Sequence, residues 1–240
     1  MTAPTEHDSA TATRILAAAR ELVLKRGVKG LTVAEIAEKA HVGKGTAYLY
    51  WGTKHDLLFG LFARDFLAVL DDGIDALSAD HEQCRPHRLC PQLVRDSLDR
   101  PFVQALQTGD ADLLGVLTQQ PRSTELLDLA GPAALMYTVL PVWRRYRLVR
   151  TDWPLDDQAY ALQALMTGFL SNVTRPQTPR SITVSEPYTV ISTAVTALLG
   201  PEEADPAEVR ATAEEGMQLL REKRAAVIAL ITANQENKES

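Results

Sequence analysis

Residues 44–50 read Lys-Gly-Thr-Ala-Tyr-Leu-Tyr, which places one ammonium and three hydroxyls, on Lys44, Thr46, Tyr48 and Tyr50, within seven residues. Small residues, Gly45 and Ala47, lie between them. Donors of this kind beside a backbone that can approach closely suit phosphate oxygens, and a few such side chains at one helix end can reach base edges in a major groove. A second set is His81, Cys84, His87 and Cys90, each three residues from the next. Imidazole and thiolate are the usual ligands of zinc and copper, so this set offers an alternative, a metal- or redox-responsive site. Against it, the spacing fits no familiar finger, Pro86 and Pro91 interrupt any single helix that would present all four, and Arg85 and Arg88 oppose a cation. The reading favoured here is an ordinary exposed loop without metal or other cofactor. A Cys84–Cys90 disulfide is disfavoured in a reducing cytosol. Catalytic chemistry is not indicated: Val42-Gly-Lys-Gly-Thr46 has Glu38 and Lys39 where a P-loop needs its earlier glycine, and no nucleophile–base–acid set follows from spacing.

The elements that must hold Lys44 to Tyr50 are legible around them. Thr32 and Glu35 have the spacing of a capping box, and Val33, Ile36, Ala37 and Ala40 follow a helical period with one buried face. Gly43 sits where a chain leaving a helix needs a left-handed residue or a close backbone approach, a natural turn between two steeply crossing helices. Upstream, Thr11 to Arg26 places Ile15, Leu16, Ala19, Leu22 and Val23 on one stripe and ends at Gly27, a C-cap. Gly52-Thr53 then breaks the chain, and Lys54 opens a long helix with Leu57, Leu58, Leu61, Phe62, Phe66, Leu67 and Leu70 on a broad apolar face. Trp51 is read as core.

In register, the opening helix ILAAARELVLKRG, Gly30-Leu31-Thr32, Glu35-Ile36-Ala37, Val42-Gly43-Lys44-Gly45-Thr46, Tyr48-x-Tyr50-Trp51 and Lys54-x-Asp56-Leu57-Leu58 resemble the DNA-binding domain of the TetR/AcrR family of bacterial transcriptional repressors. The likeness runs from about Thr13 to Leu67. Trp51 stands where the family more often has Phe, and Gly43 where it more often has Ser before the lysine. The resemblance implies that Thr32, Lys44, Gly45, Thr46, Tyr48, Tyr50 and Lys54 meet double-stranded DNA, with Thr32 and Lys54 beside phosphates. It further implies an all-α chain, with a three-helix helix-turn-helix domain over 11–53 and a helical effector-binding and dimerisation domain over 54–235.

From about Ser78 to Pro91 periodicity fails and a linker is expected. Beyond it helices are expected over Pro91–Gln107, Asp110–Gln119, Ser123–Val149 with breaks at Gly131-Pro132 and Pro141, Leu155–Asn172, Glu186–Leu199 and Pro206 to about Ala233, with a loop over Thr174–Arg180. Met136, Tyr137, Trp143 and Tyr146 recur near one side of their helix, and Met166 and Phe169 on the next. Such spacing equally suits a filled core. By resemblance these residues, with Phe62 and Phe66 from the long helix, line a pocket for a small hydrophobic or aromatic effector, and the helices at 155–172 and 186–199 form a homodimer's four-helix bundle.

The chain has 240 residues, 45% hydrophobic and 23% charged, ordinary for a globular protein with a proper core. Its net charge is −6, yet residues 1–60 carry eight Lys or Arg against six Asp or Glu, while the remaining 180 carry 17 against 25. Basic charge therefore gathers where the donors gather. The first eight residues lack the basic and apolar regions of a signal peptide and no run of some 18 apolar residues is present, so a cytoplasmic protein without membrane contact is expected. The function that follows is a ligand-responsive regulator, a repressor that binds a palindromic operator as a dimer and is released by its effector.

Overall fold

The structure of the chain, a computed structural model, describes residues 9–108, 121–174 and 184–236. Among them every regular element is helical. The elements are α1 (Ala10–Arg26), α2 (Val33–Lys39), α3 (Lys44–Tyr50), α4 (Lys54–Ala79), a 3₁₀ turn (His81–Cys84), α5 (Pro86–Leu98), α6 (Pro101–Thr108), α7 (Pro121–Ala130), α8 (Pro132–Arg145), α9 (Leu155–Thr174), α10 (Pro187–Leu199) and α11 (Pro206–Glu236).

Local chemistry sets each end of the N-terminal helices. Ser9 caps α1, accepting from the Ala12 N–H at 3.3 Å, and Gly27 at φ 74° closes it as expected. Thr32 and Glu35 form the capping box of α2: the Glu35 N–H donates to Thr32 Oγ1 at 3.3 Å, and the Thr32 N–H donates to Glu35 Oε2 at 2.8 Å. The Thr32 hydroxyl also donates to that carboxylate, and together these bonds hold the Glu35 pKa below its usual value. The turn after α2 differs from the expectation. Gly43 is extended, at φ −66° and ψ 145°, and the left-handed residue is His41 at φ 54°. The His41 N–H donates to Glu38 O and the Val42 N–H to Ala37 O, each at 3.0 Å, a Schellman closure in which Val42 folds back onto the core. Backbone bonding outweighs the cost of a non-glycine residue there.

α4 is the axis of the molecule. Thr53 and Asp56 form its capping box, and seven consecutive residues, Leu57 to Ala63, are buried, so no face of these two turns is left to solvent. Leu57, Leu58, Leu61 and Phe62 enter the core of α1–α3, which Phe102 and Ala105 of α6 complete. Phe59, Ala63, Phe66, Leu67 and Leu70 pack with Leu126, Ala130, Val227 and Ile231 of α7 and α11. Leu77 reaches the body core around Trp143 and Leu162. Gly73 lets α4 pass close to α11, since a Cβ there would meet Leu220 Cδ1 at 3.1 Å.

The expected linker at 78–91 is instead a 3₁₀ turn followed by the start of α5. Pro86 takes the first helical position, where its missing N–H costs nothing, and burial of Cys90, Pro91 and Val94 carries the helix through the second proline. The single helix expected over 91–107 breaks at Asp99-Arg100 into α5 and α6. The Gly131-Pro132 break is real, whereas Pro141 lies inside α8. Residues 121–145 are apolar enough in length and composition to cross a membrane, but they form two helices, α7 and α8, that contribute Leu126, Ala130, Met136, Leu140 and Trp143 to the interior. The helix expected at 110–119 and most of the loop expected at 174–180 lie outside the described residues.

One ion pair binds α1 to α4. Arg20 pairs with Asp65, which is 6% exposed, while its guanidinium also lies 5.5 Å from the Phe102 ring centroid. Burial raises the Asp65 pKa above its ordinary value and Arg20 opposes the rise. A raised carboxyl pKa means that the folded state holds its proton more firmly, so stability falls as pH climbs from the ordinary value through the raised one. Arg20→Ala should widen that window and lower the unfolding free energy by about 2 kcal/mol at neutral pH, discounted for the partly exposed arginine. In urea titrations, the gap between variant and wild type should be smallest below about pH 4 and grow as pH rises, reflecting the free carboxyl pKa; a gap independent of pH would show that Asp65 charge is not what Arg20 offsets.

Candidate nucleic-acid interface and body cavity

α3 is only seven residues long, too short to hold itself together without packing. Ala47, Tyr50 and Trp51 are buried beneath it. On its other side Lys44, Gly45, Tyr48 and Leu49 are exposed and Thr46 is half-buried. Tyr48 is 42% exposed, and the Lys44 ammonium sits 5.7 Å from its ring centroid. Gly45 has nothing within 4 Å of a Cβ position, so its backbone is open to approach. The N-terminal two turns of α3 thus present a cation, a phenol and an open backbone on one convex edge, which can contact phosphates and base edges together.

Two of the seven residues expected at DNA are placed differently. Tyr50 is 8% exposed, and its hydroxyl lies 2.6 Å from Ser9 Oγ, tying the end of α3 to the cap of α1. Helical period is the cause, because Tyr48 and Tyr50, two residues apart, project about 200° apart around the helix. Lys54 is half-buried and donates to the Val28 carbonyl at 2.9 Å, clamping the start of α4 to the α1–α2 loop. Thr32 is exposed at the start of α2 with its hydroxyl turned to Glu35.

Residues 15–61 match the family described as bacterial regulatory proteins, tetR family. Residues 15–61 are a TetR-family DNA-binding domain. The chain is similar to the fatty acid metabolism regulator protein of Bacillus subtilis (strain 168), 27% identical over 183 residues that cover 65% of this chain and 90% of that protein. It is also similar to the HTH-type transcriptional regulator YdeS of the same organism, 41% identical over 69 residues, 28% of this chain and 35% of that one. A third relative, the HTH-type transcriptional regulator in the lacX 3′ region of Lactococcus lactis subsp. lactis, is 30% identical over 125 residues, 43% of this chain and 64% of the relative. The chain thus spans well under two thirds of YdeS.

In the body of the chain, α4, α5, α8, α9 and α11 enclose a cavity of about 160 Å³. Phe66, Met136, Trp143 and Met166 are among the residues lining it. The other four expected residues are not part of its wall. Phe62 packs edge-on against Phe102 at 4.8 Å in the N-terminal core, Tyr137 is 49% exposed, and Tyr146 and Phe169 are partly buried against the body core. α8 and α9 each bend their aromatic stripe around more than one neighbour, which a linear spacing does not reveal. The wall also holds polar residues that sequence reasoning missed: Gln92, Asp96 and Ser97 from the end of α5, Arg100 from the break before α6, and Asp72 from α4. The available signal was Gln92 and Asp96 lying on the same helical face as Leu89 and Leu93.

The metal alternative is not assembled. Among the described residues no three His, Cys, Asp or Glu side chains converge on a metal position. Cys84 and Cys90 are buried, and burial pushes both thiols up to about 12, far from the thiolate that a metal requires. Cys84 Sγ faces the Val209 carbonyl at 3.5 Å, and the Cys84 carbonyl accepts from Trp143 Nε1 at 2.8 Å. His87 Nδ1 lies 2.6 Å from Glu202, which also accepts from Arg85. These residues serve as packing and as ties between α5, the chain after α10, and α11.

Tyr50→Phe should cost about 1 kcal/mol in urea unfolding, the worth of one hydrogen bond, and leave DNA affinity at fixed salt unchanged. Tyr48→Ala should do the reverse, with stability retained and DNA affinity reduced. An affinity loss in Tyr50→Phe equal to that in Tyr48→Ala would place both phenols at the nucleic acid.

Proposed function

We propose that this chain is a homodimeric repressor of the bacterial cytoplasm, which reads a palindromic operator through α3 and releases it when a small apolar effector occupies the body cavity. One observation carries this reading: a single helix, α4, packs under the DNA-facing helices with Leu57, Leu58 and Leu61 and then lines the cavity with Phe66, Leu70 and Gly73. The effector site and the reading helix are thereby joined by continuous packing. The α5–α6 corner is a second route. Arg100 there pairs with Asp72 at the cavity, the Asp99 carbonyl accepts from Arg20 of α1 at 3.4 Å, and Phe102 packs in the N-terminal core.

On this reading the effector prefers a state in which the two heads are wrongly spaced, and moving a 1:99 population to 99:1 takes about 10⁴-fold preference for that state. Two recognition helices about 34–36 Å apart would meet successive turns of a duplex. The largely apolar wall supports an apolar effector, and a cavity of about 160 Å³ matches one aromatic ring or a short chain in this conformation, not a long acyl chain. Domain limits near 11–53 and 54–235 divide reading from sensing, with α4 and α6 crossing the boundary.

For the dimer we assign α9 and α10. α10 carries no charged residue, and α9 carries none after Asp157, yet both have exposed faces. Tyr160, at 75% exposed, Ala164, Gly168 and Asn172 form one row along α9, with Val190 exposed on α10. A charge-poor exposed face with small residues suits close helix approach across a two-fold axis.

Selection of bound duplexes from a random pool, followed by gel shifts at stated salt, tests the reading directly. An enriched inverted repeat is expected; enrichment of single half-sites or of no sequence would overturn it. Lys44→Ala should weaken binding about tenfold and reduce the salt slope by about one. Gly168→Arg meets open space within the protomer, so it should leave the fold intact while shifting sedimentation from dimer to monomer and abolishing palindrome binding. A Gly168→Arg protein that still sediments as a dimer would place the interface elsewhere.

A further inference from the structure

The cavity is not uniformly apolar, and its polar groups do not balance. The neutral ones are satisfied within the protein: Ser97 Oγ donates to Leu93 O at 2.7 Å, Thr212 Oγ1 to Glu208 O at 2.8 Å, and Gln163 Nε2 reaches Thr167 Oγ1 at 3.5 Å. The charged ones are Asp72, Asp96 and Arg100, two carboxylates to one guanidinium. Arg100 pairs with Asp72, whose side chain is 55% exposed at the rim. Asp96 is half-buried beside that pair and accepts from Gln92 Nε2 at 2.6 Å. No cation forms an ion pair with it among the described residues. Arg95, one residue away, stacks on Tyr188 at 4.4 Å and donates to Gln92 Oε1 at 3.4 Å, so it supports Asp96 through the amide instead of meeting it. Burial, with Asp72 nearby, raises the Asp96 pKa, while the Gln92 hydrogen bond and the charges of Arg100 and Arg95 oppose the rise without reversing it.

A carboxylate in a largely apolar cavity, with no ion pair of its own, is costly unless something brings the opposite charge. The apolar remainder of the wall, with Phe66, Met136, Trp143 and Met166, accepts one ring or a short aliphatic body. We propose that the effector is a small organic amine, its ammonium held by Asp96 and its apolar body against Trp143 and the two methionines. This rests on the reading of the cavity as the effector site and narrows it to one charge class. An anionic ligand would face the surplus carboxylate, and a neutral alcohol would offer one donor and no charge.

The test is calorimetric titration of the full-length protein with 2-phenylethylamine, 2-phenylethanol and phenylacetate, three probes with one body and three charges. The amine should bind about tenfold more tightly than the alcohol, the increment of a charge-assisted hydrogen bond over a neutral one, and phenylacetate should bind weakest. Asp96→Asn should erase the advantage of the amine and leave the alcohol unchanged, while Val139→Phe, which fills the cavity, should abolish binding of all three. Alcohol or acid binding as tightly as the amine, or an Asp96→Asn protein that keeps the preference, would overturn the amine assignment and leave the cavity reading intact. Failure of the wild type to bind any probe, or binding unaffected by Val139→Phe, would overturn both.

Discussion

Everything in this molecule depends on α4 being buried on every side in its first turns. A helix with one apolar stripe could lie on the surface of either the DNA-facing part or the body; a helix with Leu57 through Ala63 all buried must lie between neighbours. Its residues consequently divide among all three hydrophobic clusters, and no cluster is complete without it. Arg20–Asp65 fixes the helix against α1 at a position where the carboxylate cannot reach water, and Asp65 Oδ2 has no hydrogen-bond partner in the structure. Such a pair contributes little net stability but penalises departure from one relative placement, because separation leaves a charge buried.

The reading edge is held by contacts made elsewhere. α3 has no side-chain N-cap and too few residues for an independent helix. Its geometry comes from the Schellman closure at His41 and Val42, from Tyr50 bonded to Ser9 and from Trp51 in the core. Lys44, Gly45 and Tyr48 are therefore left to the surface, whereas Ala47, Tyr50 and Trp51 hold the helix in place. The cavity is divided in the same way, with apolar residues of α8, α9 and α11 forming its body and the end of α5 supplying its charge.

Much of this was legible in the sequence because it is governed by local rules. The Thr32–Glu35 box, the Gly27 cap, the break at Gly131-Pro132 and most helix spans follow from neighbouring residues. The errors arise where distant packing decides. Residues 78–91 contain two prolines and look like a linker, but burial of Cys90 and Val94 against the body makes them helical. Tyr50 and Lys54 are chemically suited to DNA, but one is turned inward by helical period and the other is held by the Val28 carbonyl. Four of the eight residues expected at the pocket belong to other contacts, and its charged end was invisible because Asp72 and Asp96, far apart in sequence, come to one cavity wall only in the folded chain. His41 was missed because glycine is the usual left-handed residue, and here backbone closure overrode that preference.

The length of α4 has a mechanical consequence. Its 26 residues make a rod of about 39 Å at the usual helical rise. A rod of that length, pivoting by about 5° at its far end, swings its near end by roughly 3 Å, about the step between neighbouring base pairs. Angular error at the cavity is thus amplified into linear displacement at α3. On this geometry a body that yielded by a few degrees would carry the near end of α4 by about one base-pair step, and a shorter α4 would need a larger rearrangement to do the same.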